Sequence, residues 1–278
     1  MILEVSMYKL ITCDLDETLL DDSGVMTPKT IGAIKAALAK GIYFVPNSGR
    51  SYTSFQDNLK TLGLAGVADS YSISFNGALT IDNEHNAIIA DHALDLPVAK
   101  QIYDITMTSG GAVHVYTPEH GRIWHPLPYD VDYLSQRGVD FEVMADNTPF
   151  DILGTEPVMK IIVALPTMAQ RIALRDQVVQ QVTTPLSTAF SSDRYIEFNR
   201  AGVDKGRGVV ALAADLGIKP AEIIAIGDNS NDLPMIKAAG LGVSVANGID
   251  AVKAQAQYVT QNDNNHDAVA EVIEKFVL

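Results

Sequence analysis

Short apolar runs alternate with amphipathic segments near both ends of this chain. Apolar runs at 10–13, 42–45 and 223–226 are each followed by polar residues and then by a segment with helical spacing. Buried strands of parallel sheets read as short continuous apolar runs, whereas helices repeat apolar residues every three or four positions. The pattern therefore predicts strands alternating with helices, which is typical of an α/β protein with a Rossmann-like parallel sheet.

Local signals set the bounds of these predicted elements. Thr27 and Pro28 are typical of a helix start, and Gly41 marks the end of that helix. The sequence Asn76-Gly77 is a strong turn signal between two short strands. The remaining elements predicted on this basis are strands at 71–75, 78–81, 241–245 and 258–260 and helices at 53–62, 209–216, 234–239 and 266–276.

The alternation changes in the middle of the chain, from about residue 83. This part is predicted to contain helices at 97–109 and 168–182 and strands at 113–116, 122–124, 158–165 and 195–198. Such a mixture indicates an α+β insertion, and insertions of this kind act as lids that exclude water from a cleft. We therefore predict a core of residues 1–82 and 198–278 and an inserted α+β cap domain of residues 83–197.

Composition narrows the possible partners. The chain has 278 residues, of which 47% are hydrophobic and 19% charged, with a formal net charge of −14. This charge argues against non-specific nucleic-acid binding and against anionic membrane surfaces. The single cysteine, Cys13, cannot form an internal disulfide, which favours the reducing cytoplasm. The sequence leaves the oligomeric state undetermined.

Polar residues follow the apolar strands at the edge where ligands bind in open α/β sheets. Asp14 and Asp16 come directly after the first strand, Ser48-Gly49-Arg50 after the second, and Asp228 after the strand at 223–226. Two neighbouring carboxylates repel each other, and a divalent cation or a proton on one of them relieves that repulsion. The pattern therefore predicts a carboxylate site at this edge.

Several of these residues also have a structural reading. Ser48 is an ordinary helix-capping residue, Lys205 could be a surface lysine, and Asp228 and Asp232 could be loop and capping residues. Arg50 could contact substrate or pair with a surface acid, and Asn76 needs no function to occupy a turn. These alternatives stay open when each residue is considered alone.

Taken together and in order, the clusters resemble the haloacid dehalogenase (HAD) superfamily of phosphatases. The matching motifs are Asp14-x-Asp16-x-Thr18, Ser48, Lys205 and Gly227-Asp228-x-x-Asn231-Asp232, and the long insertion resembles the type-IIB cap of the Cof-like hydrolases. The resemblance extends over nearly the whole chain. One departure lies beside a motif, where Asn47 stands at a position that is commonly small in the family.

The resemblance implies a role for each motif residue. Asp14 would attack phosphorus and become an aspartyl-phosphate, Asp16 would act as general acid and base, and Asp232 would hold Lys205 or a metal-bound water. Mg²⁺ would bind the Asp14 and Asp228 carboxylates and the Asp16 backbone carbonyl. The residues that would then bind substrate or its phosphate are Leu15, Ser48, Gly49, Arg50, Asn76, Lys205 and Asn231.

The resemblance therefore predicts a Mg²⁺-dependent phosphatase acting on a small phosphorylated metabolite. A sugar phosphate is the expected substrate, with nucleotides and pyridoxal phosphate as further members of the class. The alternatives are a phosphomutase that uses the same aspartyl-phosphate, and a non-catalytic protein that binds a phosphorylated metabolite.

Overall fold

The computed structural model describes residues 7–136 and 139–278. The first residues of the predicted core and the pair 137–138 of the predicted cap therefore lie outside the described residues. The strands are β1 (Leu10–Cys13), β2 (Tyr43–Pro46), β3 (Tyr71–Ser74), β4 (Leu79–Asp82), β5 (Ala87–Asp91), β6 (Ala112–Tyr116), β7 (Gly121–Trp124), β8 (Glu142–Val143), β9 (Lys160–Ala164), β10 (Leu186–Ser191), β11 (Tyr195–Arg200), β12 (Ile223–Gly227), β13 (Leu241–Ser244) and β14 (Tyr258–Val259). The helices are α1 (Pro28–Ala39), α2 (Gln56–Leu62), α3 (Leu96–Thr106), α4 (Pro128–Gln136), α5 (Met168–Gln181), α6 (Lys205–Asp215), α7 (Leu233–Ala238), α8 (Asp250–Lys253) and α9 (Ala268–Phe276).

The chain forms two compact units. Unit 1 comprises the described residues up to Asp91 together with Asp204–Leu278, and unit 2 comprises His92–Val203. The sequence prediction drew the boundaries after residues 82 and 197. The first boundary differs because β5 pairs with β4 and so continues the sheet of unit 1.

A five-stranded parallel sheet with the order β14-β13-β12-β1-β2 organises unit 1. Cys13, the last residue of β1, lies in register with Ile226 of β12 and Pro46 of β2. Because these strands end together, the residues that follow them meet at one edge of the sheet. Helices α6 and α7 cover one face of the sheet, where Val209, Leu212 and Met235 pack on Leu10 and Ala225.

The third predicted strand departs from the parallel pattern. Strand β3 pairs antiparallel with β4 in a three-stranded sheet of order β3-β4-β5. Its link to the parallel sheet is a single parallel bridge between Ile73 and Asn47, the residue after β2. The tight turn at Asn76 and Gly77, a single 3-10 turn over Phe75–Gly77, reverses the chain, so the next strand pairs with β3 and no α-helix intervenes.

Unit 2 is built on a six-stranded sheet with the order β10-β11-β9-β6-β7-β8. Its pairs are antiparallel except β7 with β8. Trp124 is fully buried in its core, and Tyr103 packs edge-on against it at 5.1 Å between ring centroids. The other face of this sheet carries the buried pair His114 and Asp130, whose Nε2 and Oδ2 atoms lie 2.7 Å apart.

The predicted fold class is confirmed, with a Rossmann-like parallel core and an α+β unit inserted in it. The prediction missed β10, whose residues are mostly small or polar, because that strand has no apolar run. Among residues 7–136 and 139–278, none of the helices has both the length and the apolar character that crossing a bilayer requires.

Candidate active site

All of the predicted site residues lie in unit 1, at or near the carboxyl edge of its parallel sheet. Asp14 directly follows β1, and its backbone N–H donates to the Ile226 carbonyl at 3.0 Å. The Asn47 N–H donates to the Cys13 carbonyl at 2.9 Å, which brings the chain after β2 alongside Asp14. The register of β12, β1 and β2 therefore brings together motifs that are far apart in the sequence.

Like Asp232, Lys205 is fully buried in the site. It is the first residue of α6, whose N-cap Asp204 accepts a hydrogen bond from the Arg207 backbone N–H at 2.8 Å. Its Nζ donates to Asp14 Oδ1 at 2.5 Å and to Asp232 Oδ1 at 2.6 Å, and its side chain has no exposed surface. Burial disfavours the ammonium, but Asp14 and Asp232 outweigh it and raise the pKa of Lys205.

Both carboxylate oxygens of Asp232 accept hydrogen bonds from other residues of unit 1. Its Oδ1 accepts from Lys205, and its Oδ2 accepts from the backbone N–H groups of Asp228 and Asn229, each at 3.0 Å. These bonds hold the turn after β12 against the start of α6. This geometry matches the predicted role of Asp232 in orienting Lys205.

Asp14 and Asp228 each keep one carboxylate oxygen uncommitted within the described part of the chain. Thr18 Oγ1 donates to Asp228 Oδ1 at 2.7 Å, and the Oδ2 atoms of Asp14 and Asp228 have no hydrogen-bond partner there. Burial, with a smaller effect from Asp232, raises the pKa of Asp228 to about 7. Burial likewise raises the pKa of Asp14, with Lys205 acting in the opposite direction. The site thus holds more negative charge than its one ammonium offsets.

This donor set fits a divalent cation. One carboxylate oxygen from each of three residues lies within 4.8 Å of the other two, and these residues are Asp14, Asp228 and Asp232. Hard oxygen donors that carry excess negative charge suit a hard divalent cation. Because both Asp232 oxygens are committed, Asp14 and Asp228 are the carboxylates with an oxygen to offer.

The predicted phosphate-binding segment after β2 is buried at its start. Ser48 is 1% exposed, its N–H donates to the Ile73 carbonyl at 2.9 Å, and its Oγ accepts from the Arg50 N–H at 3.1 Å. The Arg50 guanidinium binds Asp16 through two contacts, with Nε donating to Oδ2 at 2.8 Å and Nη2 donating to Oδ1. Arg50 therefore pairs with an acidic residue, which was one of the two alternatives considered for it. That residue, Asp16, is itself one of the predicted site residues.

The two candidate asparagines lie side by side. Asn231 Nδ2 donates to Asn76 Oδ1 at 3.2 Å, and the Asn76 N–H donates to the Ser48 carbonyl at 3.0 Å. Asn76 has a φ of 56° and its carboxamide lies directly over Gly49, where a Cβ would come within 3.1 Å of it. Leu15 is fully buried, which leaves it no exposed surface for a phosphate to contact.

Two residues near the site had no role in the sequence prediction. Thr18 holds Asp228, and Asn47 donates its Nδ2 to the Lys205 backbone carbonyl at 3.0 Å. Thr18 was visible as a motif residue and Asn47 as a departure beside one. Their partners lie 210 and 158 positions away in the sequence, so only the fold identifies these contacts.

Sequence comparison agrees with this geometry. The model of the haloacid dehalogenase-like hydrolase family matches residues 11–273. The Bacillus subtilis protein YxeH, which its name marks as a candidate phosphatase, is 33% identical over 286 residues, covering 98% of this chain and 99% of YxeH. YcsE of the same organism, named as 5-amino-6-(5-phospho-D-ribitylamino)uracil phosphatase, is 26% identical over 273 residues, covering 97% of this chain and 96% of YcsE.

Solved structures show the same fold. A haloacid dehalogenase-like hydrolase from Bacteroides thetaiotaomicron superposes with a TM-score of 0.86 at 26% identity, covering 96% of this chain and 99% of that one. The subclass IIB sugar phosphatase BT4131 has a TM-score of 0.81 at 20% identity, covering 96% and 98%. The chain therefore belongs to the haloacid dehalogenase-like hydrolase family, as a Cof-like phosphatase with the fold of subclass IIB.

Proposed function

We propose that the chain hydrolyses small phosphate monoesters through an aspartyl-phosphate intermediate on Asp14, with Mg²⁺ as its cofactor. The observation that carries this proposal is the buried contact of Lys205 Nζ with Asp14 Oδ1 at 2.5 Å and Asp232 Oδ1 at 2.6 Å. A phosphate monoester dianion resists attack by an anion, so a carboxylate nucleophile needs positive charge beside it. Lys205 supplies that charge permanently because its pKa is raised.

In the first step, an Asp14 oxygen attacks phosphorus while the bond from phosphorus to the ester oxygen breaks. Ser48 Oγ, the Gly49 N–H and the Asn231 carboxamide would donate to the phosphoryl oxygens. The departing oxygen takes the electron pair of the broken bond and receives a proton from Asp16, so an alcohol leaves.

Asp16 can donate a proton only if its pair with Arg50 opens. The guanidinium currently binds both carboxylate oxygens, which makes Asp16 a hydrogen-bond acceptor. A substrate phosphate competes for the same planar donor pair, since Arg binds phosphate and carboxylate in the same bidentate way. We infer that phosphate binding draws Arg50 from Asp16, so that Asp16 can take up a proton from solvent before it acts as the acid.

In the second step, water attacks phosphorus and gives its proton to Asp16. The bond from phosphorus to the Asp14 oxygen breaks, inorganic phosphate leaves, and Asp14 returns as a carboxylate. The proton that Asp16 gave in the first step is thereby regained, so Asp16 is unchanged over the cycle.

The Asp14 and Asp228 carboxylates, together with the Asp16 backbone carbonyl, are the groups that would hold Mg²⁺. The ion would offset the negative charge shared by these carboxylates and the phosphoryl oxygens. Thr18 fixes the orientation of Asp228 by its 2.7 Å hydrogen bond, leaving the other oxygen for the ion.

We propose small sugar phosphates or related phosphorylated metabolites as substrates and the cytoplasm as the location. The substrate class is supported by YcsE, which is named for a substrate with a phosphorylated ribityl chain. The location is supported by Cys13, a free thiol buried in β1. Phosphate release without isomer formation from a panel of sugar phosphates would distinguish a hydrolase from a mutase.

The test compares wild type with Asp14→Asn on p-nitrophenyl phosphate, with Mg²⁺ and with EDTA. We expect Asp14→Asn to lower kcat by about a thousandfold or more because the neutral amide oxygen is a far weaker nucleophile than a carboxylate oxygen. Asp57→Asn, whose side chain is 94% exposed, is the matched control and should keep wild-type activity. Hydroxylamine trapping followed by mass spectrometry should convert Asp14 to a hydroxamate only during turnover; equal rates for wild type and Asp14→Asn would refute the proposal.

A further inference from the structure

Asn47 connects three of the motif segments of unit 1. Its backbone N–H donates to the Cys13 carbonyl at 2.9 Å, next to Asp14, and its own chain continues into Ser48. Its side-chain Nδ2 donates to the Lys205 carbonyl at 3.0 Å. We propose that Asn47 is a positioning residue that orients the Lys205 ammonium toward Asp14, an inference that rests on the proposed function.

Apart from hydrogen bonds within the helix, such as that from the Arg207 N–H to Asp204, the backbone of the first turn of α6 packs closely against its neighbours. A Cβ on Gly206 would come within 2.5 Å of the Pro234 backbone, and one on Gly77 within 2.3 Å of the Asp204 carbonyl oxygen. Such van der Waals contacts fix how near the turn lies to its neighbours. They resist rotation of the turn about its axis only weakly, because they have no preferred angle.

The hydrogen bond from Asn47 Nδ2 adds a directional contact to the Lys205 carbonyl from outside the helix. A hydrogen bond weakens steeply when its angle departs from linearity, so it fixes the orientation of the Lys205 peptide group. Rotation of that peptide group would move Nζ, at the end of a long side chain, away from Asp14 and Asp232. The 2.5 Å and 2.6 Å contacts of Nζ therefore depend on the Asn47 carboxamide.

Asn47 is also an unfavourable choice on grounds of stability alone. The residue is fully buried, and its Oδ1 has no hydrogen-bond partner among the described residues. A buried carbonyl oxygen without a partner costs free energy, which an apolar or smaller side chain would avoid. Departures from local rules of this kind concentrate at functional sites, which agrees with a role for Nδ2 in setting the position of Lys205.

The experiment compares Asn47→Ala with Thr12→Val. Thr12 is equally buried in the same sheet, and its Oγ1 also has no partner, so Thr12→Val removes a buried polar atom without losing a hydrogen bond. We expect Asn47→Ala to lower kcat roughly ten- to a hundredfold with little change in KM, as misplacement of a catalytic group does. Thr12→Val should keep the wild-type kcat, and urea unfolding would verify that both variants are folded.

A double-mutant cycle separates positioning from a general loss of structure. If Asn47 acts through the ammonium, Asn47→Ala should cause almost no further loss of kcat in a Lys205→Ala background. The same fractional loss in both backgrounds would overturn the proposal, as would a wild-type kcat for Asn47→Ala.

A second readout is independent of turnover. Deuterium labelling of the backbone amides of α6, mapped by mass spectrometry, should be faster in Asn47→Ala than in wild type and Thr12→Val. Equal rates in all three proteins would overturn the positioning role. If wild type released no phosphate from any ester, the proposed function would fail, and the labelling rates would still decide whether Asn47 holds Lys205.

Discussion

Lys205 places a positive charge in the interior of unit 1, between two carboxylates. Taking a charge out of water is costly, and here the cost is offset by hydrogen bonds from Nζ to Asp14 and Asp232. Asp14 and Asp232 are buried as well, so each of these carboxylates also depends on the Lys205 ammonium to offset the cost of its burial. The same three groups thus serve stability and the proposed chemistry.

Lys205→Met should lower the free energy of unfolding by about 3–5 kcal/mol, because it leaves two buried carboxylates without their ammonium. The measurement is urea unfolding in EDTA. Lys9→Met is the control, since Lys9 pairs with Glu222 at 2.7 Å but is half exposed, and surface pairs contribute about 0–1 kcal/mol. A similar loss for the two variants would show that burial of the Lys205 pair adds nothing.

At the scale of elements, the contact of α6 with α7 depends on the absence of a side chain at Gly206. A Cβ there would come within 2.5 Å of the Pro234 backbone, and backbone atoms cannot move aside as the end of a flexible side chain can. Gly32 in the interior of α1 has nothing within 4 Å of a Cβ position. An alanine side chain would therefore clash at Gly206 but would fit at Gly32.

Gly206→Ala should destabilise the protein by about 1–3 kcal/mol, as overpacking does, and should also lower kcat because Lys205 is its neighbour. Gly32→Ala should stabilise it by about 1 kcal/mol through helix propensity, with kcat unchanged. Thermal unfolding and p-nitrophenyl phosphate kinetics measure both effects. Loss of stability in Gly32→Ala, or none in Gly206→Ala, would contradict this packing account.

The sequence predicted the elements that carry strong local signals and missed contacts between distant segments. The parallel strands were readable because each is a continuous apolar run, and the start of α1 because Thr27 caps it, accepting from the Thr30 N–H at 3.1 Å. The antiparallel return of β4 beside β3 was readable from the Asn76-Gly77 turn signal, whereas β5, the third strand of that sheet, was not predicted. The site residues were predicted through order and resemblance, whereas the pair of Arg50 with Asp16 needed the fold.

Among the described residues, each of the two units has buried hydrophobic clusters of its own. Unit 1 contains the parallel sheet and the candidate site, and unit 2 contains Trp124, the single tryptophan of the chain. Trp124 is fully buried, so its fluorescence reports the core of unit 2. A ligand that binds only unit 1 should therefore stabilise one core more than the other.

Mg²⁺ should raise the urea midpoint of unit 1, measured by hydrogen exchange in peptides from β1 and β12, and leave the Trp124 fluorescence midpoint unchanged. Ligand at a hundred times its Kd stabilises the folded state by about 2.7 kcal/mol. Asp228→Asn should abolish the shift because it removes one proposed ligand. Equal shifts by both probes would indicate that the two units unfold as one.

The strand order of the parallel sheet also governs when the candidate site can first form as the chain is made. β1 lies between β2 and β12, and β12 follows the whole of unit 2 in the sequence. While His92–Val203 is being synthesised on the ribosome, β1 can pair with β2 but not yet with β12. One edge of β1, the strand that precedes Asp14, is therefore still unpaired at that stage. Asp14 can contact Lys205 and lie beside Asp228 only after His92–Val203 has been synthesised, so the proposed nucleophile lacks its ammonium and its second carboxylate until then.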